Sequence, residues 1–260
     1  MDLIIFSGQS NMQGQTEGVP YDNTPIIDAY EYLYKENKFK PLQHPVGEDL
    51  EENGQALLLG SHNGYGSLIP DFCRIYVKKS GRKTLVVHAA KGATTIAEWK
   101  PNTLRYAAMV RKILSAKERA KEIEQIENVY FVWLQGESDA IDGTLEMDYY
   151  NHFIELKDTL KKDVGVTFFG IIKVGYFASQ ATWYNVGDME SRIQKDKNIM
   201  NAQERIVREN DDCIMLTRIS EELSKNKKYI NPFESGHYNN KAMKIIGEEA
   251  AQELCKYIKI

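Results

Sequence analysis

The chain has 260 residues, of which 42% are hydrophobic and 27% are charged, a composition typical of a globular protein with one domain over residues 1–260. The net charge of −4 provides no basic surface that could neutralise phosphates, so we expect no nucleic-acid partner. No apolar run approaches the ~18 residues of a membrane helix and no signal peptide is visible, so the sequence predicts a cytoplasmic protein with no membrane partner.

The cysteines show no pattern of the kind that binds metal. Cys73, Cys213 and Cys255 lie far apart, and none belongs to a CxxC or Cys/His motif. An odd number of unpatterned cysteines is typical of a reducing compartment. We therefore expect no metal, no cofactor and no disulfide framework.

Short apolar runs recur at wide spacing and are rich in β-branched residues. They are continuous rather than alternating, as in strands that are buried on both faces of a parallel sheet. Five such strands are predicted, at Leu3–Phe6, Thr84–His88, Val129–Leu134, Val166–Val174 and Cys213–Thr217.

Helical periodicity fills the segments between these runs. One helix is expected to open at Pro101, because proline suits the first turn of a helix. The alternation of strands and helices predicts an α/β protein with a doubly wound sheet. The predicted helical stretches run from Leu68 to Lys79, Ala107 to Leu114, Tyr149 to Leu160, Met200 to Val207 and Ala242 to Leu254.

Two stretches interrupt this alternation. Within residues 19–66, the segments Ala29–Tyr34 and Phe39–Leu42 flank a polar turn and predict a hairpin, followed by a glycine-rich loop. Residues 176–196 form a second irregular insertion, which carries Tyr176, Phe177 and Trp183.

Polar loops follow the predicted strands at the end where open α/β sheets bind ligands. The first strand leads into SGQSNM, the second into KGATTIAEW and the third into QGESD. A further polar segment, ESGHYN, precedes the last helix. We expect these four segments to meet at one edge of the sheet.

Acyl transfer is the chemistry that this set of residues favours. The Ser10 hydroxyl needs a base to become a nucleophile, and His237 is the candidate base. Glu234 lies three residues before His237 and could orient its ring. The backbone N–H groups of Ser10 and Gly92 and the side-chain amide of Gln135 are candidate donors to an oxyanion.

The four segments together resemble the sequence blocks of the SGNH hydrolases, and more narrowly the sialate O-acetylesterase and acetylxylan esterase branch, over nearly the whole chain. The resemblance implies a flavodoxin-like three-layer α/β/α sandwich around a mostly parallel sheet, to which the apolar runs contribute five strands. It also implies the removal of O-acetyl groups from sugars. Carried over to this sequence, the nucleophile is Ser10, the base is His237, and the oxyanion donors are Ser10, Gly92 and Gln135.

Two positions depart from the family pattern. Glu234 stands where the family usually has aspartate, and Lys91 precedes Gly92 where the family often has a second glycine. A side chain at position 91 could contact the substrate. With Lys91 we count Asn11, Trp99 and Glu137 as candidate substrate-binding residues; for Asn11 and Glu137, hydrogen bonds that fix loops are the alternative interpretation.

Several alternatives remain open from the sequence alone. Ser10 is not in a GxSxG nucleophile elbow, and His62 is the competing candidate for the base. Glu137 and Asp139 could suggest a glycosidase, although a role in fixing loops is favoured. A non-catalytic carbohydrate-binding protein on an esterase scaffold, and an esterase for short acyl or lipid esters, are the alternative functions.

Overall fold

A computed structural model describes residues 1–52, 55–60 and 65–257 of the chain. His62, the competing candidate base, lies outside the described residues. The strands are β1 (Asp2–Gly8), β2 (Ala29–Leu33), β3 (Lys38–Pro41), β4 (Leu50–Glu52), β5 (Gln55–Leu59), β6 (Thr84–Ala90), β7 (Asn128–Leu134), β8 (Phe168–Ile172) and β9 (Cys213–Thr217). The α-helices are α1 (Ser10–Gln13), α2 (Ile69–Ser80), α3 (Leu104–Ala120), α4 (Glu137–Asp142), α5 (Glu146–Val164), α6 (Met189–Glu209), α7 (Ile219–Ser224) and α8 (Asn240–Tyr257).

The central sheet has seven strands in the order β3-β2-β6-β1-β7-β8-β9. All pairs are parallel except β2–β3, so the predicted α/β class with a mostly parallel sheet is confirmed. The five predicted strands are all present, but the count of five is wrong. The predicted hairpin supplies the other two strands, because β2 pairs with β6 through the register Ala29 to Thr84.

Two groups of helices cover the sheet and complete the three layers. Helices α2 and α8 pack against each other, while α3, α5 and α6 pack as a second group. None of the helices in the described part of the chain is long and apolar enough to cross a membrane. The buried side chains of β1 lie between these layers, with Leu3, Ile4, Ile5 and Phe6 at 0% exposure.

Two predicted helix boundaries are wrong. Helix α3 begins at Leu104 rather than at Pro101, because the Thr103 side chain caps it by accepting a hydrogen bond from the backbone N–H of Tyr106. Helix α6 begins at Met189, so the last third of the 176–196 insertion is helical and continues into the predicted stretch from Met200.

The order of the strands fixes where a ligand could bind. Strand β1 lies between β6 and β7, and the loops that follow these three strands leave the sheet at the same edge. Ser10 comes two residues after β1, at the centre of this edge. This is the position at which open α/β sheets form their binding crevice.

Candidate active site

A cavity of about 830 Å³ opens at the carboxyl end of β1. Its walls come from the loops after β1, β6 and β7, from the 176–196 insertion and from the segment before α8. Among the predicted site residues, those that line it are Ser10, Lys91, Gly92, Glu234 and His237. The structure thus brings together residues that are more than 220 positions apart in the chain.

Ser10 is aimed into this cavity by a tight turn at the end of β1. Gly8 has φ +143°, and a Cβ at this position would lie 1.9 Å from the carbonyl oxygen of Leu134 on β7. Only glycine lets the two strands come so close at this point. Ser10 then starts α1, and the side chain of the preceding Gln9 donates through Nε2 to Ser10 Oγ at 3.4 Å.

His237 packs against an aromatic ring of the 176–196 insertion. The ring of Phe177 meets the imidazole edge-to-face, with centroids 5.4 Å apart. Gly236 has φ +87°, and a Cβ there would lie 2.7 Å from the Phe177 ring. The 176–196 insertion therefore forms one wall of the histidine site, a role that the sequence did not indicate.

Glu234 lies on the outer side of His237. Its Oε2 atom is 3.7 Å from His237 Nδ1, which is longer than a hydrogen bond. The Glu234 side chain is 50% exposed, whereas the His237 side chain is 6% exposed. The carboxylate is therefore half exposed to solvent, which screens its charge from the ring.

Two of the three candidate oxyanion donors, Gly92 and Gln135, donate to other groups of the protein. The backbone N–H of Gly92 donates to Gln13 Oε1 at 2.5 Å. Gln135 is completely buried, and its Nε2 donates to the carbonyl of Thr94 at 2.9 Å and to Asp139 Oδ2 at 2.5 Å. Gln135 is therefore not oriented toward Ser10, in contrast to the prediction.

Two glutamines of the loop after β1, Gln9 and Gln15, line the cavity, whereas Gln135 does not. Gln15 Nε2 donates to Gln13 Oε1 at 3.0 Å, beside the Gly92 amide. The signal available in the sequence was the recurrence of glutamine at positions 9, 13 and 15 around Ser10.

Three of the four candidate substrate-binding residues do not line the cavity. Trp99 is fully buried, where its indole N–H donates to Thr94 Oγ1 at 3.1 Å and its ring packs edge-to-face on Trp133. Asn11 and Glu137 are 1% and 2% exposed and hydrogen-bond to each other. These three side chains are therefore buried against other parts of the protein and do not face the cavity.

The paired acids after β7 fix loops. Asp139 accepts hydrogen bonds from the backbone N–H of Ile96 at 2.9 Å and from Thr144 Oγ1 at 3.1 Å. Burial raises the pKa of Asp139 to about 6 and the pKa of Glu137 to about 7. The described residues contain no group of His, Cys, Asp and Glu side chains that could hold a metal ion.

Lys91 and Trp183 give the cavity its charged and aromatic surfaces. Burial, with a smaller contribution from nearby Arg105, lowers the pKa of Lys91. Trp183 is 58% exposed and lines the cavity, with Phe177 packed against its ring at 6.1 Å. An exposed aromatic face at a cavity rim suits one face of a sugar ring.

Comparisons with known proteins find related carbohydrate esterases. The model of the carbohydrate esterase family described as sialic acid-specific acetylesterase matches residues 1–256. A probable carbohydrate esterase from Arabidopsis thaliana is 30% identical over 190 residues, which are 66% of this chain and 67% of that protein.

Solved structures show the same fold. An Arabidopsis thaliana protein superimposes with a TM-score of 0.68 at 18% identity and covers 99% of both chains. An acetylxylan esterase from Geobacillus stearothermophilus superimposes with a TM-score of 0.54 at 10% identity, over 97% of this chain and 94% of that one. The fold is that of the SGNH hydrolases, and the family match identifies a carboxylic ester hydrolase. This chain therefore belongs to the sialic acid-specific acetylesterase family of carbohydrate esterases.

Proposed function

We propose that the protein is a serine esterase that hydrolyses O-acetyl esters of carbohydrates, with Ser10 as nucleophile and His237 as general base. The observation that carries the proposal is that both residues line the same cavity, at the carboxyl end of the central strand. The acetyl group and the sugar are proposed from the family, whose match covers residues 1–256.

The reaction proceeds in two half-reactions. In the first, Ser10 Oγ attacks the acetyl carbonyl while His237 Nε2, the ring nitrogen remote from Glu234, takes the serine proton. The tetrahedral intermediate collapses, the sugar oxygen leaves with that proton, and the acetyl group stays on Ser10. In the second, a water molecule gives one proton to His237 as its oxygen attacks the acetyl-serine, and His237 returns that proton to Ser10 Oγ as the C–O bond breaks. Acetic acid is released and ionises to acetate, which restores free Ser10 and neutral His237.

The oxyanion is stabilised by backbone donors. The Ser10 N–H begins α1 and has no acceptor within that helix. The Gly92 N–H lines the same cavity, and a substrate oxyanion replaces Gln13 Oε1 as its acceptor. This exchange replaces a neutral acceptor by a charged one, so the hydrogen bond strengthens as the transition state forms.

Glu234 and the cavity walls complete the proposal. Glu234 orients the His237 ring and stabilises its charge from 3.7 Å, partly screened by solvent. Trp183 offers a face to the sugar, and Lys91 offers an ammonium group to its polar or acidic substituents. We place the substrate's acetyl group between Ser10 and Gly92.

Acetate release tests the proposal. We expect the protein to release acetate from acetylated sugars and to hydrolyse p-nitrophenyl acetate. The Ser10→Ala and His237→Gln variants should lose ~10³-fold or more of kcat, because members of such a unit act together. Ser115→Ala, on helix α3 outside the cavity, is the matched control and should keep wild-type kcat.

Three outcomes contradict the proposal. Full turnover by the Ser10→Ala variant would show that Ser10 is not the nucleophile. In that case, a small organophosphonate would label another residue. Binding of acetylated glycans without acetate release would identify a non-catalytic carbohydrate-binding protein. A preference for long acyl chains in a series of p-nitrophenyl esters would identify a lipid esterase.

A further inference from the structure

Asn11 joins the two segments that carry Ser10 and His237. Asn11 directly follows Ser10, and Tyr238 directly follows His237. The Asn11 side chain accepts a hydrogen bond through Oδ1 from the backbone N–H of Tyr238 at 3.1 Å. One amide thus connects the residue after the nucleophile to the residue after the base.

Glu137 fixes the other end of the same amide. Asn11 Nδ2 donates to Glu137 Oε1 at 2.8 Å, and Glu137 is the first residue of α4, in the loop region after β7. With its Oδ1 held by Tyr238 and its Nδ2 held by Glu137, the Asn11 amide has one orientation. Three separate parts of the chain are therefore tied together directly behind the cavity.

This connection is inaccessible to solvent. Asn11, Glu137 and Tyr238 are 1%, 2% and 3% exposed, and none of the three lines the cavity. Buried hydrogen bonds of this kind are costly to break, because a group that loses its partner cannot turn to water. The connection is therefore rigid enough to determine the relative position of its two ends.

We propose that Asn11 and Glu137 are positioning residues that fix the position of Ser10 Oγ relative to the His237 ring without touching the substrate. This inference rests on the proposed function, because it assigns a role relative to Ser10 and His237. Catalysis requires the reacting atoms within a few tenths of an ångström of their productive separation. A displacement of ~1 Å costs ~10²-fold in rate.

The role of Glu137 is that of a hydrogen-bond acceptor rather than that of a charge. Asn11 Nδ2 can donate to either the ionised or the neutral carboxyl group. The pKa of Glu137 is raised to about 7, chiefly by burial and to a smaller extent by the charges of Asp139 and Asp196, so the neutral acid is present near neutral pH. A glutamine side chain offers the same acceptor and the same shape.

Two substitutions of Glu137 separate positioning from stability. Glu137→Met removes the acceptor at similar volume, and we expect kcat for p-nitrophenyl acetate to fall ~10–100-fold with KM within twofold of wild type. Glu137→Gln keeps the acceptor and should retain kcat within about threefold of wild type. Asn11→Leu should lower kcat as Glu137→Met does, and the double variant should be no worse than either single variant.

Leu160→Ala, in the buried face of α5, is the control for a general loss of stability. It should lower Tm at least as much as Glu137→Met while keeping wild-type kcat at a temperature where both are folded.

The inference is overturned by a folded Glu137→Met variant with wild-type kcat, by a Glu137→Gln variant as slow as Glu137→Met, or by an equal loss of kcat in Leu160→Ala. In each case an active, Ser10-dependent wild type leaves the proposed function intact. Turnover that does not depend on Ser10 overturns the proposed function together with this inference.

Discussion

The geometry around His237 differs from a triad in which a buried carboxylate holds the histidine. Its ring is held against Phe177 by van der Waals contact, and the chain turns at Gly236 to permit that contact. The Glu234 carboxylate lies 3.7 Å from the ring and is half exposed, so solvent screens its charge. The Glu234 carboxylate is therefore far more exposed than the buried acid of such a triad.

This geometry predicts a modest effect for Glu234→Gln. We expect kcat/KM for p-nitrophenyl acetate to fall less than about tenfold, because an exposed pair in solvent contributes ~1 kcal/mol or less. A buried triad acid costs ~10⁴-fold when it is replaced by its amide. A loss of that size in Glu234→Gln would show that the carboxylate closes on His237 when substrate binds.

At the scale of elements, the 176–196 insertion is anchored by one buried carboxylate. Asp196, on α6, accepts hydrogen bonds from the backbone N–H groups of Phe177, Ala178 and Ser179 at 2.8–3.0 Å, and from Ser179 Oγ at 2.5 Å. A second tie joins the insertion to the histidine segment, where Thr182 N–H donates to Ser235 Oγ at 2.8 Å. The position of the Phe177 ring follows from these bonds.

Asp196→Ala should therefore release the insertion. We expect a loss of ~3 kcal/mol or more in the free energy of unfolding, since buried N–H groups are left without an acceptor. The kcat should also fall, because the Phe177 ring no longer supports His237. Limited proteolysis should show faster cleavage within residues 176–188.

Asp188→Ala is the matched control on the same helix. Asp188 caps α6 by accepting from Ser191 N–H at 2.7 Å and makes no bond to Phe177. Loss of this helix cap should lower the free energy of unfolding by ~1 kcal/mol. The cleavage rate within residues 176–188 and kcat should stay unchanged. Equal cleavage of the two variants would show that Asp196 does not anchor the insertion.

The elements that the sequence predicted are those whose pattern is local. The strands of the parallel sheet appear as apolar runs because both of their faces are buried, and β6 and β7 fall within one or two residues of the predicted bounds. The first two turns of α6 carry mostly polar side chains, so no apolar periodicity marked them. The entry of the hairpin into the sheet depends on the pairing of β2 with β6, a contact between residues 55 positions apart.

The same distinction holds for the candidate site. Ser10, Gly92, Glu234 and His237 could be assigned to one cavity because each follows a strand or precedes a helix at the same edge of the sheet. The orientation of Gln135 could not, because it depends on competition between Thr94, Asp139 and Gln9 for one side-chain amide. Which of several buried acceptors an amide faces is decided by three-dimensional packing.

At the scale of the whole molecule, buried titratable groups give stability a predictable dependence on pH. Burial lowers the pKa of His44 to about 4 and of His88 to about 3, so the folded state binds fewer protons than the unfolded state below pH 6.5. Stability from these histidines is present above pH 6.5 and is lost as the pH falls through 4 and 3.

The buried carboxyl groups act in the opposite direction. The pKa of Glu137 rises from 4.5 to about 7 and that of Asp139 from 3.8 to about 6, so the folded state binds more protons than the unfolded state in those ranges. Stability from these acids is present at low pH and is lost as the pH rises through 6 and 7. Between about pH 4.5 and 6, the free energy of unfolding rises with pH because of the histidines and falls with pH because of the acids, so the two effects offset each other.

The Glu137→Gln variant has no titratable group at position 137, so it lacks the loss of stability with rising pH that Glu137 causes. We expect the free energy of unfolding of the variant, relative to wild type, to increase by on the order of 3 kcal/mol from pH 4.5 to pH 7, at ~1.4 kcal/mol per pKa unit. Urea unfolding at several pH values measures this difference, and the loss of stability below pH 4.5 should persist because the histidines remain. A difference that does not change with pH would show that Glu137 is ionised in the folded protein at the same pH as in the unfolded chain.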